Sequence, residues 1–296
     1  MSLSPRHPLR VAAAQTHSHL GDLEANLKDH LAIIDAARSQ GIEVLLFPEM
    51  SLTGHSAGPD TPRLAITRDS EQVRQLAEAA GSMTVIFGLI EEGIAAQFYN
   101  SAFAVREGEL IFIHRKLSLA TYGQLEDGKY FAAGRFVETI HFDNAWRAGL
   151  LICNDLWNPA MVHLAALHGA TLLFAPISSA AEAVGGEFDN PGNWEVNLRF
   201  YAMTYGMPVV MANRVGREGS LSFWGGSRIL DPFGRTLATA QGDEPQLVVA
   251  DLNYERVREA RFLLPTVRDS NLSLLLREGN RLAETIGIPD TIRSAR

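Results

Sequence analysis

Short runs of almost wholly apolar residues recur along this chain and alternate with segments of helical spacing, and this pattern constrains the fold more than any other feature. Leu9 to Ala14 reads as a buried strand, and Asp22 then opens a segment with Leu23, Leu27, Leu31 and Ile34 on one helical face, closed by Gly41. Ile42 to Phe47 is a second strand, Ser70 to Ala80 a second helix and Met83 to Leu89 a third strand. A β-α-β-α-β unit of this kind implies a sheet covered by helices on at least one face.

From Phe98 the texture changes to paired strands. Tyr99 to Val105 and Leu110 to His114 flank Glu107-Gly108, and Phe136 to Phe142 and Arg147 to Ile152 flank Asp143-Asn144, so both pairs read as hairpins. Pro159 begins a helix, Thr171 to Ala175 follows as a strand, Asn193 to Tyr205 is a helix stopped by Gly206, and Pro208 to Ala212 is another strand. Short strand pairs surround Asp231-Pro-Phe-Gly234, and Tyr254 to Phe262 is helical. No linker, composition break or internal repeat divides the chain. The expectation is therefore one α/β domain over residues 9–264 and a C-terminal extension over 265–296.

Composition excludes several classes. With 46% hydrophobic and 20% charged residues, the 296-residue chain is neither disordered nor fibrous, and it can bury a large core without covalent staples. A net charge of -8 argues against a nucleic-acid partner, which would call for a basic surface. No apolar stretch reaches the roughly 18 residues of a membrane span, and the start has no apolar signal region, so a cytoplasmic location is expected. The single cysteine can form neither an internal disulfide nor a four-ligand zinc site. No metal and no cofactor are expected.

That cysteine, Cys153, ends an apolar strand in Gly-Leu-Leu-Ile-Cys153-Asn-Asp-Leu-Trp157-Asn-Pro159, just before a helix. Strand ends followed by helix starts are where open α/β sheets place ligands. By position alone Cys153 reads first as a small buried hydrophobe, since free cysteine is among the most buried residue types. A catalytic thiol needs a base, because at its ordinary pKa of roughly 8.5 little of it is thiolate. None of the nine histidines is signposted for that role. Glu49, in Leu-Leu-Phe-Pro-Glu49-Met, and Lys116, in Ile-Phe-Ile-His-Arg-Lys116-Leu, stand at two other strand ends. Each alone could be a solvated loop residue. Together they supply a proton acceptor, a nucleophile and a cation for a tetrahedral oxyanion.

In these contexts, Glu49, Lys116 and Cys153 resemble the Glu-Lys-Cys triad of the nitrilase superfamily of carbon–nitrogen hydrolases, in the same order. The resemblance runs from Arg10 to about Asn253. It includes Tyr99-Asn100, Tyr130-Phe-x-x-Gly134, Asn213-Arg-Val-Gly216 and the stretch Phe223-Trp-Gly-Gly-Ser227 to Asp231-Pro-Phe-Gly234. It implies an α/β fold of four layers, an αββα sandwich, whose protomers pair as a homodimer or higher oligomer, with the C-terminal extension in contact with the second copy. It also implies that Glu49 serves as base and acid, and that Lys116 with the Asn154 backbone N–H forms the oxyanion hole.

The departures from the family bear on substrate. Where members carry a second glutamate after the lysine, this chain reads Tyr122-Gly-Gln-Leu-Glu126-Asp127. Register favours Asp127 as the carboxylate supporting Lys116, with Glu126 second. Cys-Asn154-Asp-Leu-Trp157 is similar to the glutaminase domain of glutamine-dependent NAD synthetases, with Asn154 where those carry Glu, and so points to amides rather than nitriles. No Ser-Gly-Gly-x-Asp-Ser or P-loop run accompanies it, so a free-standing amidase is expected. The segment Ile177 to Trp194, rich in small residues, reads as a lid, with Glu182 and Trp194 as candidate substrate contacts beside Tyr122 and Trp157.

The expected activity is hydrolysis of a small-molecule amide or carbamoyl substrate by water through an acyl-cysteine intermediate. An N-carbamoyl hydrolase, a true nitrilase and a catalytically silent partner-binding protein are the alternatives. A histidine-assisted cysteine hydrolase is a further one.

Overall fold

A computed structural model describes residues 7–142 and 146–286. In chain order the elements are β1 (Leu9–Gln15), α1 (Leu23–Ser39), β2 (Val44–Leu46), α2 (Thr61–Leu64), α3 (Glu71–Ala80), β3 (Thr84–Glu92), β4 (Phe98–Arg106) and β5 (Glu109–Arg115). There follow α4 (Asp127–Tyr130), β6 (Thr139–His141), β7 (Arg147–Leu150), α5 (Pro159–Leu167), β8 (Leu172–Ile177), α6 (Asn190–Tyr205) and β9 (Val209–Asn213). The chain continues with β10 (Val215–Glu218), β11 (Leu221–Trp224), β12 (Arg228–Leu230), β13 (Thr236–Thr239), β14 (Gln246–Leu252), α7 (Tyr254–Leu263) and α8 (Leu272–Ile286).

Two six-stranded sheets result, ordered β14-β1-β2-β3-β4-β5 and β13-β12-β9-β8-β7-β6. Each has three adjacent parallel strands at its centre, β1-β2-β3 in one and β7-β8-β9 in the other, with antiparallel strands on both flanks. The parallel strands are covered on both faces, which is why they read as unbroken apolar runs. Strand alternation sorts their side chains. Val11, Ala13, Leu46 and Ile86 of the first sheet meet Leu150, Phe174, Val210 and Ala212 of the second in a core between the sheets. Ala12, Leu45, Phe87 and Phe103 turn the other way, onto Ile34 of α1 and Val73 and Leu76 of α3. Leu173, Ala175 and Met211 likewise pack on Val162 of α5 and Trp194, Leu198 and Tyr201 of α6. The architecture is thus α, β, β, α in four layers.

Local signals set the helix ends. Asp22 caps α1 by accepting from Ala25 N–H, Ser70 caps α3 through Val73 N–H, and Gly206 ends α6 in the left-handed conformation. The helix expected from Asn193 starts a turn earlier, at Asn190, because Asp189 caps it and Pro191 occupies its first turn. The strand expected over Phe136 to Phe142 shrinks to Thr139–His141, since Gly134 is bonded to the end of β5 and Phe136 faces solvent. The turn residues Asp143 and Asn144 lie outside the described residues, as do the last ten of the extension. The rest of that extension contains α8, which had no counterpart in the expected elements. Its Leu272, Leu275, Leu276, Leu282 and Ile286 are all exposed.

Candidate active site

Three strand ends, at β2, β5 and β7, converge at one edge of the sandwich. After β2 the chain turns sharply through Pro48-Glu49-Met50, with Met50 at φ 49°. Gly88 of β3 lies beneath this turn, and a methyl group there would sit 2.2 Å from the Met50 nitrogen, so only glycine lets the turn close over the neighbouring strand. His30 of α1 braces the same turn from behind. It stacks on Phe47 and lies 2.9 Å from Ser51 Oγ, and burial holds its pKa down at about 4. It does not line the cavity over Cys153.

Lys116 follows β5 and continues its pairing, its N–H donating to Asn100 O at 2.9 Å. Gly134 N–H donates to Lys116 O at 2.8 Å, and a Cβ at Gly134 would lie 2.2 Å from Arg115 O, which accounts for glycine in the Tyr-Phe-x-x-Gly run. The Lys116 ammonium is buried. It donates to Glu49 Oε1 at 2.8 Å and to Asp127 Oδ2 at 2.7 Å. Burial alone would lower its pKa, but the Asp127 and Glu49 carboxylates reverse that and hold it well above the ordinary lysine value, so it is an ammonium throughout the working range. Asp127, at the start of α4, also accepts from Ala120 N–H at 3.2 Å, and Asn100 Nδ2 donates to Glu49 Oε1 at 2.7 Å. Glu49 Oε2 is buried with no hydrogen-bond partner among the described residues.

Cys153 stands at the turn between β7 and a short 3-10 segment, in the left-handed region at φ 44°. A non-glycine residue held there is strained, and such strain persists only where surrounding contacts over-determine the backbone. Asp155 supplies those contacts. It is fully buried and takes four donors: Ile152 N–H at 3.0 Å, Leu117 N–H at 2.9 Å, Ser118 N–H at 2.7 Å and His114 Nε2 at 3.0 Å. One carboxylate thereby ties the Cys153 turn to the strand end carrying Lys116. The Cys153 thiol is pushed well up, first by burial and then by the Glu49 carboxylate, against the opposing effects of Lys116 and a hydrogen bond from Ser178 N–H. At rest it is a thiol, and it needs a base to react.

Among the other expected site residues, Asn154 clasps the 118–122 loop, donating to Ser118 O at 3.0 Å and accepting from Tyr122 Oη at 2.8 Å. Trp157 packs edge-on against Trp194 at 4.9 Å between ring centres. A cavity of about 20 Å³, room for roughly one water, lies over Cys153 and is lined by Lys116, Tyr122, Trp157, Ser178, Asn190 and Trp194 among others. Two residues depart from expectation. Glu126 is exposed and paired with Lys129 at 3.3 Å, so it does not support Lys116. Glu182 does not line the cavity: its carboxylate accepts from Ser222 N–H at 2.9 Å on the outer side of the strap that follows β8. Asn100, Asp155, Ser178 and Asn190 were not singled out from sequence as site residues. Asn100 and Asp155 stand in quoted motifs, yet their partners are distant in the chain.

The cavity is roofed where two loops meet. Gln124 N–H donates to Ala183 O at 3.3 Å, and a Cβ at Gly123 would lie 2.0 Å from that same oxygen. Larger grooves of about 540 Å³ near Trp146 and about 720 Å³ near Phe136 lie elsewhere and are lined by none of Glu49, Lys116 and Cys153. Among the described residues no three His, Cys, Asp or Glu groups converge as metal ligands, and no helix is long and apolar enough to cross a membrane.

Residues 10–262 match the family described as carbon–nitrogen hydrolase. The chain is 30% identical over 286 residues to a glutamine-dependent NAD(+) synthetase from Thermotoga maritima, covering 94% of this chain but 48% of that protein. It thus spans about half the length of that curated relative. A carbon–nitrogen hydrolase from Helicobacter pylori G27 superposes with a TM-score of 0.81 at 23% identity, over 90% of this chain and 96% of that one. An amidase from Nesterenkonia sp. AN1 superposes with a TM-score of 0.76 at 26% identity, over 94% of this chain and 99% of that one. That structure is of a glutamate-to-glutamine mutant showing covalent addition of the acetamide moiety of fluoroacetamide at its active site cysteine.

Proposed function

The chain belongs to the carbon–nitrogen hydrolase family, and on that premise we propose that it cleaves a small amide through a Cys153 thioester, releasing ammonia or an amine. The observation that carries this reading is the buried Lys116 ammonium, bonded to one oxygen of Glu49 and to Asp127, with the Glu49 carboxylate close enough to the Cys153 thiol to hold it protonated.

In the proposed sequence Glu49 takes the thiol proton as Sγ attacks the carbonyl carbon. The carbonyl π pair moves to oxygen, where Lys116 and the Asn154 backbone N–H stabilise it. Collapse breaks the C–N bond, and Glu49 returns the proton to the departing nitrogen. Water, deprotonated by Glu49, then attacks the thioester, and the carboxylic acid leaves as Cys153 is reprotonated. Asp127 keeps the ammonium charged and aimed. No metal or cofactor is required by any step.

Acid-quenched mixtures of the protein with a panel of amides and carbamoyl compounds test this. The expected result is ammonia or amine release, with a mass increment equal to the acyl group on the peptide holding Cys153. Turnover without that increment, or turnover surviving Cys153→Ala, refutes the covalent route.

The same reading takes residues 9–264 as the hydrolase domain and 265–296 as an extension contacting a second copy of the chain. The exposed leucines of α8 support it. Sedimentation of the full chain, expected to show a dimer or larger species, tests this part; a monomer at micromolar concentration sinks it.

A further inference from the structure

The lining of the cavity over Cys153 includes polar atoms with no partner among the described residues. Asn190, the first residue of α6, is 3% exposed and lines the cavity. Its Nδ2 donates to Ala180 O at 2.6 Å and to Ser179 Oγ at 2.9 Å. A carbonyl oxygen can only accept, so the bond to Ala180 fixes which end of the amide is nitrogen, and both its hydrogens are used. Oδ1 is left buried without a partner. Ser178 Oγ, 4% exposed on the same wall, is also unpaired, and its backbone N–H is the one that bonds the Cys153 thiol. Native interiors rarely leave such atoms orphaned unless a ligand or a role accounts for them.

Asn190 is held in place by more than its own backbone. Ser179, which receives one of its hydrogens, also accepts from Trp224 Nε1 at 3.1 Å, and Ser179 N–H donates to Asn213 Oδ1 at 2.9 Å. The acceptor is therefore presented rigidly, which is what a specificity contact needs. With only about 20 Å³ free over Cys153, the group it meets has few atoms. Leu125, Val184, Trp157 and Trp194 supply apolar lining, and the Tyr122 phenol, the Lys116 ammonium and the His55 imidazole, whose Nδ1 is likewise buried without a partner, are the other polar groups of the wall.

We propose that Asn190 Oδ1 and Ser178 Oγ form a specificity subsite for a short acyl amide with a hydroxyl or N–H on the atom next to the scissile carbonyl. The substrate group donates to Asn190 and, where it is a hydroxyl, accepts from Ser178. A purely aliphatic acyl chain of the same size leaves both protein atoms unpaired and is disfavoured. This rests on the amide-hydrolase reading above.

Glycolamide and propionamide test it, because they are nearly the same size and differ by OH against CH3. The quantity to measure is the ratio of their kcat/KM values in the wild type, Asn190→Leu and Ser178→Ala. Intrinsic reactivity cancels when the wild-type ratio is divided by a variant's, and general damage to the fold slows both substrates alike. The expected result is a glycolamide preference that falls roughly 10- to 100-fold in Asn190→Leu and several-fold in Ser178→Ala. Ser178→Ala removes an oxygen with no protein partner, so it keeps the question answerable if Asn190→Leu fails to fold. Equal ratios in wild type and variants overturn the subsite while leaving amide hydrolysis intact. Failure of the wild type to turn over, or be acylated at Cys153 by, any amide overturns the hydrolase reading and the subsite with it.

Discussion

Asp155 makes the sharpest prediction, because it bonds none of the Glu49, Lys116 and Cys153 side chains yet fastens the two strand ends that carry Lys116 and Cys153. Its two oxygens collect three backbone N–H groups and one imidazole, all within 3.0 Å, in a fully buried setting. Asp155→Ala strips four bonds and strands the donors. At roughly 1 to 1.5 kcal/mol each, the loss is about 4–6 kcal/mol, a large part of the 5–15 kcal/mol typical of a domain. Asp155→Asn should be milder. With its remaining oxygen turned to Leu117 and Ser118, it keeps those two bonds and sets an amide N–H against the Ile152 donor, at a cost of about 2–3 kcal/mol. Urea unfolding reads this directly: at a slope of about 3 kcal/mol per M, the midpoint falls by roughly 1 M for Asn and 1.5–2 M for Ala. Because Leu117 and Ser118 position Lys116, and Ile152 positions Cys153, kcat should fall at least about tenfold in the folded Asn variant with a smaller change in KM. An Asp155→Ala protein within about 1 kcal/mol of wild type would refute the idea that this carboxylate sets the Cys153 turn.

Three further outcomes are expected. Lys116→Ala removes the cation between two buried carboxylates, so it should lower kcat/KM by at least 10²–10³ and also destabilise by about 3–5 kcal/mol, measured by steady-state kinetics and thermal unfolding. The Cys153 thiol is raised first by burial and then by Glu49, so removing that negative charge in Glu49→Gln makes the thiolate easier to form. Iodoacetamide labelling of Cys153 should therefore move to lower pH in that variant even as turnover is lost, and an unshifted or upward-shifted profile contradicts the assignment. Gly88→Ala drives a methyl into the Met50 nitrogen at 2.2 Å, and should cost at least about 3 kcal/mol while displacing Glu49. Wild-type stability and activity in Gly88→Ala would show that the turn has room to move.

What could be read from sequence was local. Apolar runs such as Leu172–Ile177 announce strands because both faces of a central parallel strand are covered, and Asp22, Ser70 and Gly206 mark helix ends because capping is decided within a few residues. Glu49, Lys116 and Cys153 were legible as polar residues placed where apolar runs stop. The layered α/β architecture follows from the same periodicity, as the packing of Val11 and Ala12 onto opposite faces illustrates.

The tertiary structure alone decided which of these groups act on one another. Glu49 and Lys116 are 67 residues apart and Asn100 and Glu49 are 51 apart, separations over which no periodicity carries information. Asp127 and Glu126 differ by one position in the chain, yet one is buried on the Lys116 ammonium and the other is solvated beside Lys129. Glu182 turns out to Ser222 while Asn190, eight residues on, lines the cavity over Cys153. Those choices depend on how loops from separate sheets close over one another. Strand ends are set by local burial, whereas the partner of a loop side chain is set by whatever the rest of the fold brings within 3 Å.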